Sequence, residues 1–124
     1  MILGQARRGL SMTSELTPLS IMTTLSTISK EIDAQTVEIA RCDVGAVKAR
    51  VAHKKGYARA FLTCAGSMDI RRYTAELEAS DLYLASEIAD QELRAAVGAI
   101  KALRDRLEVG RSLSPLMRLE WGQA

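Results

Sequence analysis

Residues 30–66, KEIDAQTVEIARCDVGAVKARVAHKKGYARAFLTCAG, contain no proline and repeat apolar residues in steps of three and four. This spacing places the apolar residues on one side of an α-helix, so the stretch predicts a helix of about four heptads. We expect this apolar seam to be the buried side of the helix. Its members are Val37, Ala40, Val44, Val47, Val51, Ala58, Phe61 and Ala65, with Lys54 in one slot.

A line of basic residues runs beside the seam. Arg41, Lys48, Lys55 and Arg59 are spaced seven, seven and four apart, which places them on one side of the helix. At 100° per residue, this line lies about 80° from the seam and flanks it. A polyanion or an acidic partner helix would fit such a line.

A turn is predicted directly after this helix. Gly66 can adopt the left-handed conformation that closes a helix, and Ser67 can cap the next one. Asp69 lies where the helix dipole favours a negative charge. We therefore expect a tight reversal into a second long helix over residues 68–109. Gly110 is expected to end that helix, and Ser114-Pro115 to start a short last one.

The second helix carries two apolar faces about a right angle apart. A single partner helix cannot cover both faces, so we expect an obligate oligomer. Trp121 is expected to dock in an oligomer contact. The first face comprises Ile70, Tyr73, Leu77, Leu84, Ile88, Ala95 and Ala99, and the second comprises Leu82, Leu93, Ile100, Leu103 and Leu107.

The beginning of the chain predicts a shorter helix. Thr17 can act as an N-cap with Pro18 at the first helical position, and a break is expected near residues 26–30 because Ser and Thr are frequent there. Residues 1–16 are expected to be flexible. The predicted fold is thus all-α: one domain, 17–124, forming a long antiparallel helical hairpin with a shorter N-terminal helix and a short C-terminal helix.

Composition excludes several functional classes. The 124 residues suffice for one domain and contain a single histidine, His53, in a basic stretch that does not suggest a general base. Cys42 and Cys64 lie too far apart along one helix for a disulfide and indicate reduced, structural thiols. No metal motif, cofactor motif, secretion signal or membrane span is recognised. We expect a cytoplasmic protein that is not an enzyme and needs no cofactor.

Charge is distributed in blocks. Residues 41–59 carry six Lys or Arg against Asp43, a net charge of +5, and residues 69–92 carry seven acids against Arg71 and Arg72, a net charge of −5. In a hairpin these blocks face each other, so interhelical salt bridges are one interpretation. The expected pairs are Arg59–Glu76, Lys55–Glu78, Lys48–Glu87 and Arg41–Glu92.

Binding of single-stranded DNA is the other interpretation. The cations would track a sugar-phosphate backbone, and Tyr57 could either stack on a base or cover the rim of the seam. The candidate DNA-binding residues are Lys48, Arg50, Lys54, Lys55, Tyr57, Arg59, Arg71 and Arg72.

Several of these segments resemble the phage recombination-mediator proteins typified by UvsY of T-even phages. The resemblance spans about residues 40–122 and is one of pattern. It rests on the runs 48–50 and 57–59, the turn at Gly66, Arg71-Arg72-Tyr73, and the runs 103–106 and 117–120. It implies a helical hairpin in a ring-like homo-oligomer that binds single-stranded DNA. Such a protein helps to load a RecA-type recombinase onto strands covered by single-strand-binding protein, in the cytoplasm of a bacterial host.

The resemblance also implies DNA contacts from a Lys-x-Arg pair shortly before the turn. Lys48-Ala49-Arg50 keeps both residue types but lies far from Gly66, whereas Tyr57-Ala58-Arg59 has the better distance but lacks the lysine. Both positions remain candidates.

An alternative function belongs to a different class. The chain could be a structural or interaction protein, such as a phage assembly factor or a host-defence inhibitor, whose charge blocks only pair helices. A secreted helical hairpin of the Trp-x-Gly type is disfavoured because no tryptophan lies at the turn.

Overall fold

The computed structural model describes residues 17–122, which form three α-helices. Helix α1 spans Pro18–Thr63, α2 spans Met68–Glu78 and α3 spans Ser80–Gly122. No strand occurs in this described range, so the predicted all-α class is confirmed. The predicted flexible segment 1–16 and the predicted contact of the Trp121 side chain lie outside the described part of the chain.

Helix α1 begins where the sequence predicts. The backbone N–H of Ser20 donates to Thr17 Oγ1 at 3.1 Å, and the N–H of Thr17 donates to Ser20 Oγ at 2.9 Å. Two backbone donors that have no partner within the helix are satisfied in this way. Pro18 occupies the first helical position, where a missing N–H has no consequence.

The break predicted near residues 26–30 does not occur, and the separate N-terminal helix is therefore wrong. The hydroxyls of Thr23 and Thr27 donate to the carbonyls of Leu19 and Thr23 at 2.9 and 3.0 Å, within the helix. Because these hydroxyls do not compete for backbone groups elsewhere, they do not interrupt α1. Ile28 is also buried, which anchors this part of the helix.

The turn after α1 follows the prediction closely. Gly66 has φ of 122°, a value that glycine adopts readily and other residues rarely do. Ser67 caps α2 by accepting a hydrogen bond from the N–H of Ile70 at 3.4 Å. Asp69 lies in the first turn of α2, near the positive end of the helix dipole.

The predicted single helix over 68–109 is interrupted at one residue. Ala79 has φ of −90° and ψ of 6°, and its N–H reaches the carbonyls of both Ala75 and Leu77. The N–H of Tyr83 then donates to the Ala79 carbonyl at 2.9 Å, which begins α3. The interruption is therefore confined to about one turn of the helical hydrogen-bond pattern.

The predicted end at Gly110 and the separate C-terminal helix are wrong. Helix α3 continues through Gly110 and Pro115 to Gly122. Gly110 lies against Leu25, and a Cβ at this glycine would collide with the Leu25 side chain. Gly110 is therefore packed against Leu25 within the continuous helix and does not stop it.

Contacts divide the described residues into two units. One unit comprises 17–34 with 100–122, and the other comprises 35–99. In the first unit Ile21, Ile28 and Ile100 are buried. An open apolar groove of about 430 Å³ lies in the same unit, lined by Leu25 and Val109 among others.

The unit 35–99 is held together by small side chains. Cys42, Ala46 and Ala60 of α1 are buried, and the segments after the turn contribute a matching set of small residues. Small side chains allow two helices to approach closely, so backbone and Cβ atoms supply the dispersion contacts. The matching set is Ala75, Ala79, Ser86 and Ala96.

Most of the seam predicted to be buried on α1 is instead exposed, and its member Phe61 is half-buried. Val37 and Val44 have 72% and 53% of their surface accessible, and Val47 and Val51 are also exposed. The buried positions 42, 46 and 60 lie on roughly the opposite side of the helix. Valine is more apolar than alanine, but the small residues after the turn pack closely against the side of α1 that carries Cys42, Ala46 and Ala60. The valine side of α1 is therefore left exposed.

Of the two apolar faces predicted on the second helix, the second is the more buried. Ile100 is buried and Leu93 and Leu103 are half-buried, whereas Leu77 and Leu84 of the other face are exposed. Among the described residues, no helix is long and apolar enough to cross a lipid bilayer.

Candidate nucleic-acid interface

Four cations of α1 extend from the unit 35–99 without a partner. Lys48, Lys54, Lys55 and Arg59 are exposed, and none of them forms an ion pair within residues 17–122. Their positive charge is therefore not neutralised by a carboxylate of the described chain. This set is called the free cations below.

The free cations are not arranged on a single line. Lys48 and Lys55 are two helical turns apart and Arg59 is one further turn along, so these three share a side of α1. Lys54 precedes Lys55 and is turned by about 100° from it. From residue 48 to residue 59 the helix rises by about 16 Å, which sets the length of the charged surface.

Arg50 is placed differently from the prediction. Its Nη2 lies 3.4 Å from Asp90 Oδ1, which joins α1 to α3. Arg50 also lies on roughly the opposite side of α1 from the line of Lys48 and Lys55. The sequence did not identify Asp90 as the partner of Arg50. The signal available was that Asp90 belongs to the acidic block of residues 69–92.

Arg71 belongs to the turn. It is half-buried, its Nε donates to the Phe61 carbonyl at 3.2 Å, and its guanidinium lies 4.9 Å from the centre of the Phe61 ring. Phe61 is near the end of α1, where the last carbonyls have no helical donor. Arg71 therefore caps α1 and is not positioned as a free phosphate contact.

Arg72 and Tyr57 also have intramolecular partners. Arg72 Nη2 lies 2.9 Å from Asp69 Oδ1, and its guanidinium lies 5.4 Å from the centre of the Tyr73 ring. Tyr57 is half-buried and stacks on Phe61, with ring centres 6.3 Å apart and planes 17° apart. The arrangement of Tyr57 favours the rim interpretation over base stacking.

The predicted interhelical salt bridges are replaced by other pairs. Lys48–Glu87, Lys55–Glu78 and Arg59–Glu76 are absent from the described residues, where Arg50–Asp90 is the ion pair that joins α1 to α3. The predicted pairs assumed that these cations face the second helix, but Lys48 and Lys55 lie about 140° around α1 from the buried positions 42, 46 and 60 that pack on it.

Arg41 pairs along its own helix instead of with Glu92. Its Nε donates to Glu38 Oε2 at 2.9 Å. The hydrogen bond lowers the pKa of the Glu38 carboxyl and raises the pKa of the Arg41 guanidinium. Glu92 lines a shallow groove together with Glu38 and Arg41, and it adds a smaller raising effect on the pKa of Arg41.

His53 has a packing role in this unit. It is half-buried and its ring lies edge-on to Tyr83, with centres 5.4 Å apart and planes at 62°. No group of three or more His, Cys, Asp or Glu residues in the described range could hold a metal ion.

Both cysteines are free thiols, as the sequence indicates, but their environments differ. Cys42 is buried and its Sγ lies 3.6 Å from Glu38 Oε1. Burial, followed by the hydrogen bond to the Glu38 carboxylate, raises the pKa of the Cys42 thiol. Cys64 is half-buried just after α1.

We expect iodoacetamide to modify Cys64 well before Cys42 in the folded protein at pH 8. The thiolate is the reactive form, and a raised pKa together with burial reduces its amount and its access at Cys42. Peptide mapping by mass spectrometry over time measures both rates, and the urea-unfolded chain is the control in which the two rates converge. Equal rates in the folded protein would contradict the buried position of Cys42.

The chain matches no protein-family model, no curated protein and no solved structure. The resemblance to UvsY-like mediators therefore remains an expectation from the sequence.

Proposed function

We propose that the protein is an oligomer that binds single-stranded DNA through the free cations of α1. The observation that supports this proposal is that Lys48, Lys54, Lys55 and Arg59 are exposed and form no ion pair within residues 17–122. Had the acidic block neutralised them, little field would remain to attract a polyanion. Unpaired cations on a rigid helix, in contrast, can replace the counterions of a nucleic-acid backbone.

The aromatic residues favour contacts with phosphates over contacts with bases. Tyr57 is already stacked on Phe61, and Phe61 is covered by Arg71. A base could therefore stack on Tyr57 only if these contacts were rearranged. We infer binding with little sequence preference and with strong dependence on salt.

We also infer an antiparallel helical hairpin for residues 35–99. In an antiparallel hairpin, the start of the first helix lies next to the end of the second, and the two ends at the turn lie together. The contacts of residues 35–99 follow this order. Gln35 Nε2 donates to the Ala96 carbonyl at 3.1 Å, and Phe61 is contacted by Arg71. Such a hairpin keeps the free cations on one stiff element, so several copies could present them to the same strand and increase affinity through multivalency.

A role in recombination follows from the resemblance alone. UvsY-like proteins help to load a RecA-type recombinase onto DNA covered by single-strand-binding protein, and we propose the same role in a bacterial host cytoplasm. The absence of catalytic motifs is compatible with a mediator that acts by binding.

The test is a triple substitution, Lys54→Ala with Lys55→Ala and Arg59→Ala, assayed by fluorescence anisotropy with labelled oligo-dT. Each lost phosphate contact lowers the log–log salt slope by about 0.7, so three lost contacts lower it by about 2. We expect affinity at 50 mM salt to fall many-fold while circular dichroism remains helical.

A matched control removes three charges from elsewhere. Lys101→Ala with Arg104→Ala and Arg106→Ala has the same net charge as the test variant and changes exposed residues of α3. We expect this control to retain most of the affinity. Equal losses in both variants would mean that net charge alone governs binding, and unchanged affinity in the test variant would refute the proposed site.

A structural or interaction protein is the second candidate. It is favoured by a specific observation, because the acidic residues Glu76, Glu78 and Glu87 form no ion pair within residues 17–122 either. Opposite charges that are unpaired within one chain can pair between chains. Failure of the wild-type protein to bind oligo-dT at 50 mM salt would favour this candidate over DNA binding.

A further inference from the structure

Two apolar faces of the unit 35–99 are exposed. The valine face consists of Val37, Val44, Val47 and Val51 on α1, with exposed fractions between 43% and 72%. The leucine face consists of Ile70 and Leu77 on α2 with Leu84 and Ile88 on α3, with exposed fractions between 50% and 76%. Contiguous exposed apolar patches of this kind mark interaction sites.

Both faces have the spacing of helix-packing surfaces. Val37, Val44 and Val51 are seven residues apart, and Val47 lies between two of them. On the other side Ile70, Leu77 and Leu84 are also seven apart, and Ile88 follows after four. A seven-residue repeat keeps a stripe directed at one partner helix along its length. Each face is therefore suited to contact another helix.

Cations flank the valine face. Arg41, Lys48 and Lys55 each follow a valine of the seven-residue repeat by four residues, which places them along one edge of the face. Lys48 and Lys55 form no ion pair within residues 17–122. This edge therefore offers positive charge to whatever packs on the valines.

Carboxylates flank the leucine face. Asp81 follows Leu77 by four residues, Glu87 follows Leu84 by three, and Glu92 follows Ile88 by four. None of these three acids forms an ion pair within residues 17–122. The leucine face is therefore complementary in charge to the valine face, whereas each face repels a copy of itself.

We propose that the valine face of one copy packs on the leucine face of a second copy. Apolar surface is then buried on both sides, and opposite charges meet along the edges. Pairing of identical faces would bring like charges together, which disfavours a two-fold symmetric dimer. A contact between two different faces continues from copy to copy and produces a ring or a filament.

This inference rests on the proposed function only in that both require several copies, and it goes further by naming the two faces. It also limits the DNA site. Lys48 and Lys55 lie at one edge of the contact and Lys54 occupies a slot of the same seam, so Arg59, beyond the last valine, is the free cation that assembly leaves most available. Light scattering reports on assembly and anisotropy reports on DNA binding, so the two proposals can fail separately.

The test uses two variants, each with one damaged face. Val44→Gln with Val51→Gln damages the valine face, and Leu84→Gln with Ile88→Gln damages the leucine face. Glutamine is a good helix former and these positions are exposed, so circular dichroism should stay helical. We expect the wild type to be oligomeric at micromolar concentration and each variant to be monomeric by light scattering.

Mixing the two variants is the decisive measurement. Each retains the face that the other lacks, so an equimolar mixture should form a one-to-one dimer of twice the 13.5 kDa chain mass. Val97→Gln changes an exposed residue outside both faces and should leave the oligomer intact. If a double variant unfolds, Val44→Gln and Ile88→Gln alone replace the pair in the same scheme.

Three outcomes would overturn the interface. They are a monomeric wild type, variants that remain as oligomeric as the wild type, and a mixture that stays monomeric. A monomeric wild type that still binds oligo-dT with a steep salt slope would refute the interface and leave the DNA site standing. An oligomer that assembles as proposed but does not bind oligo-dT would do the reverse.

Discussion

Ala46→Leu is expected to lower the free energy of unfolding by about 3 kcal/mol, near the upper end of what overpacking a core costs. Ala46 has 0% of its surface exposed and lies in the small-residue seam that holds the unit 35–99 together. A leucine at this position has no free volume to enter, because the seam depends on close approach of the helices. The helices must separate or the side chain must adopt a strained rotamer.

Urea denaturation followed by circular dichroism measures this loss. Protein concentration must be the same for every variant, because assembly would add to the apparent stability. Ala52→Leu is the matched control, since it makes the same chemical change on the same helix at an exposed position. We expect that control to change stability by no more than about 0.5 kcal/mol. Equal stability of the two variants would contradict the small-residue seam.

Gly66→Ala is expected to destabilise the protein by about 1–2 kcal/mol, the usual cost of a left-handed conformation for a residue with a Cβ. The φ of 122° at Gly66 falls in a region that other residues rarely adopt. An added Cβ would also lie 3.3 Å from Ile70 Cγ2, which is tighter than ordinary contact. Both effects act on the folded state.

Gly45→Ala is the matched control for that change and should act in the opposite direction. Gly45 is inside α1, and a Cβ there would meet nothing within 4 Å. Alanine stabilises a helix interior by about 1 kcal/mol relative to glycine, so we expect stability to rise by a similar amount. A rise in stability for Gly66→Ala as well would show that the turn does not require a left-handed residue.

Local chemistry made the ends of several elements predictable. Thr17 and Pro18 begin α1, and Gly66, Ser67 and Asp69 make the turn, because caps and left-handed residues act through neighbours in the chain. These interactions are short in sequence and need no knowledge of the rest of the fold. They are therefore visible in the sequence itself.

Other boundaries were predicted wrongly because the same residues have more than one use. Gly110 resembles a helix stop but lies against Leu25 inside a continuous helix, where a Cβ would require the Leu25 side chain to move. Thr23 and Thr27 resemble breakers, yet their hydroxyls bond to carbonyls of the helix. Packing and hydrogen bonding with particular partners decide which use applies.

The candidate site was predictable in part. The sequence identified the cations, and Lys48, Lys54, Lys55 and Arg59 are exposed as a binding surface requires. It did not distinguish them from Arg50 and Arg71, which are engaged with Asp90 and with the Phe61 carbonyl. Those partners lie far along the chain or across a turn, so only the register of the helices decides them.

By itself the sequence determined the helical class, the start of α1, the chemistry of the turn and the location of the charges. Each of these follows from propensity, capping or composition, which act over a few residues. Only the tertiary structure decided which side of α1 is buried. Helix α1 has two apolar sides, and the small residues of the following segments match the alanine side, so the valines are left exposed.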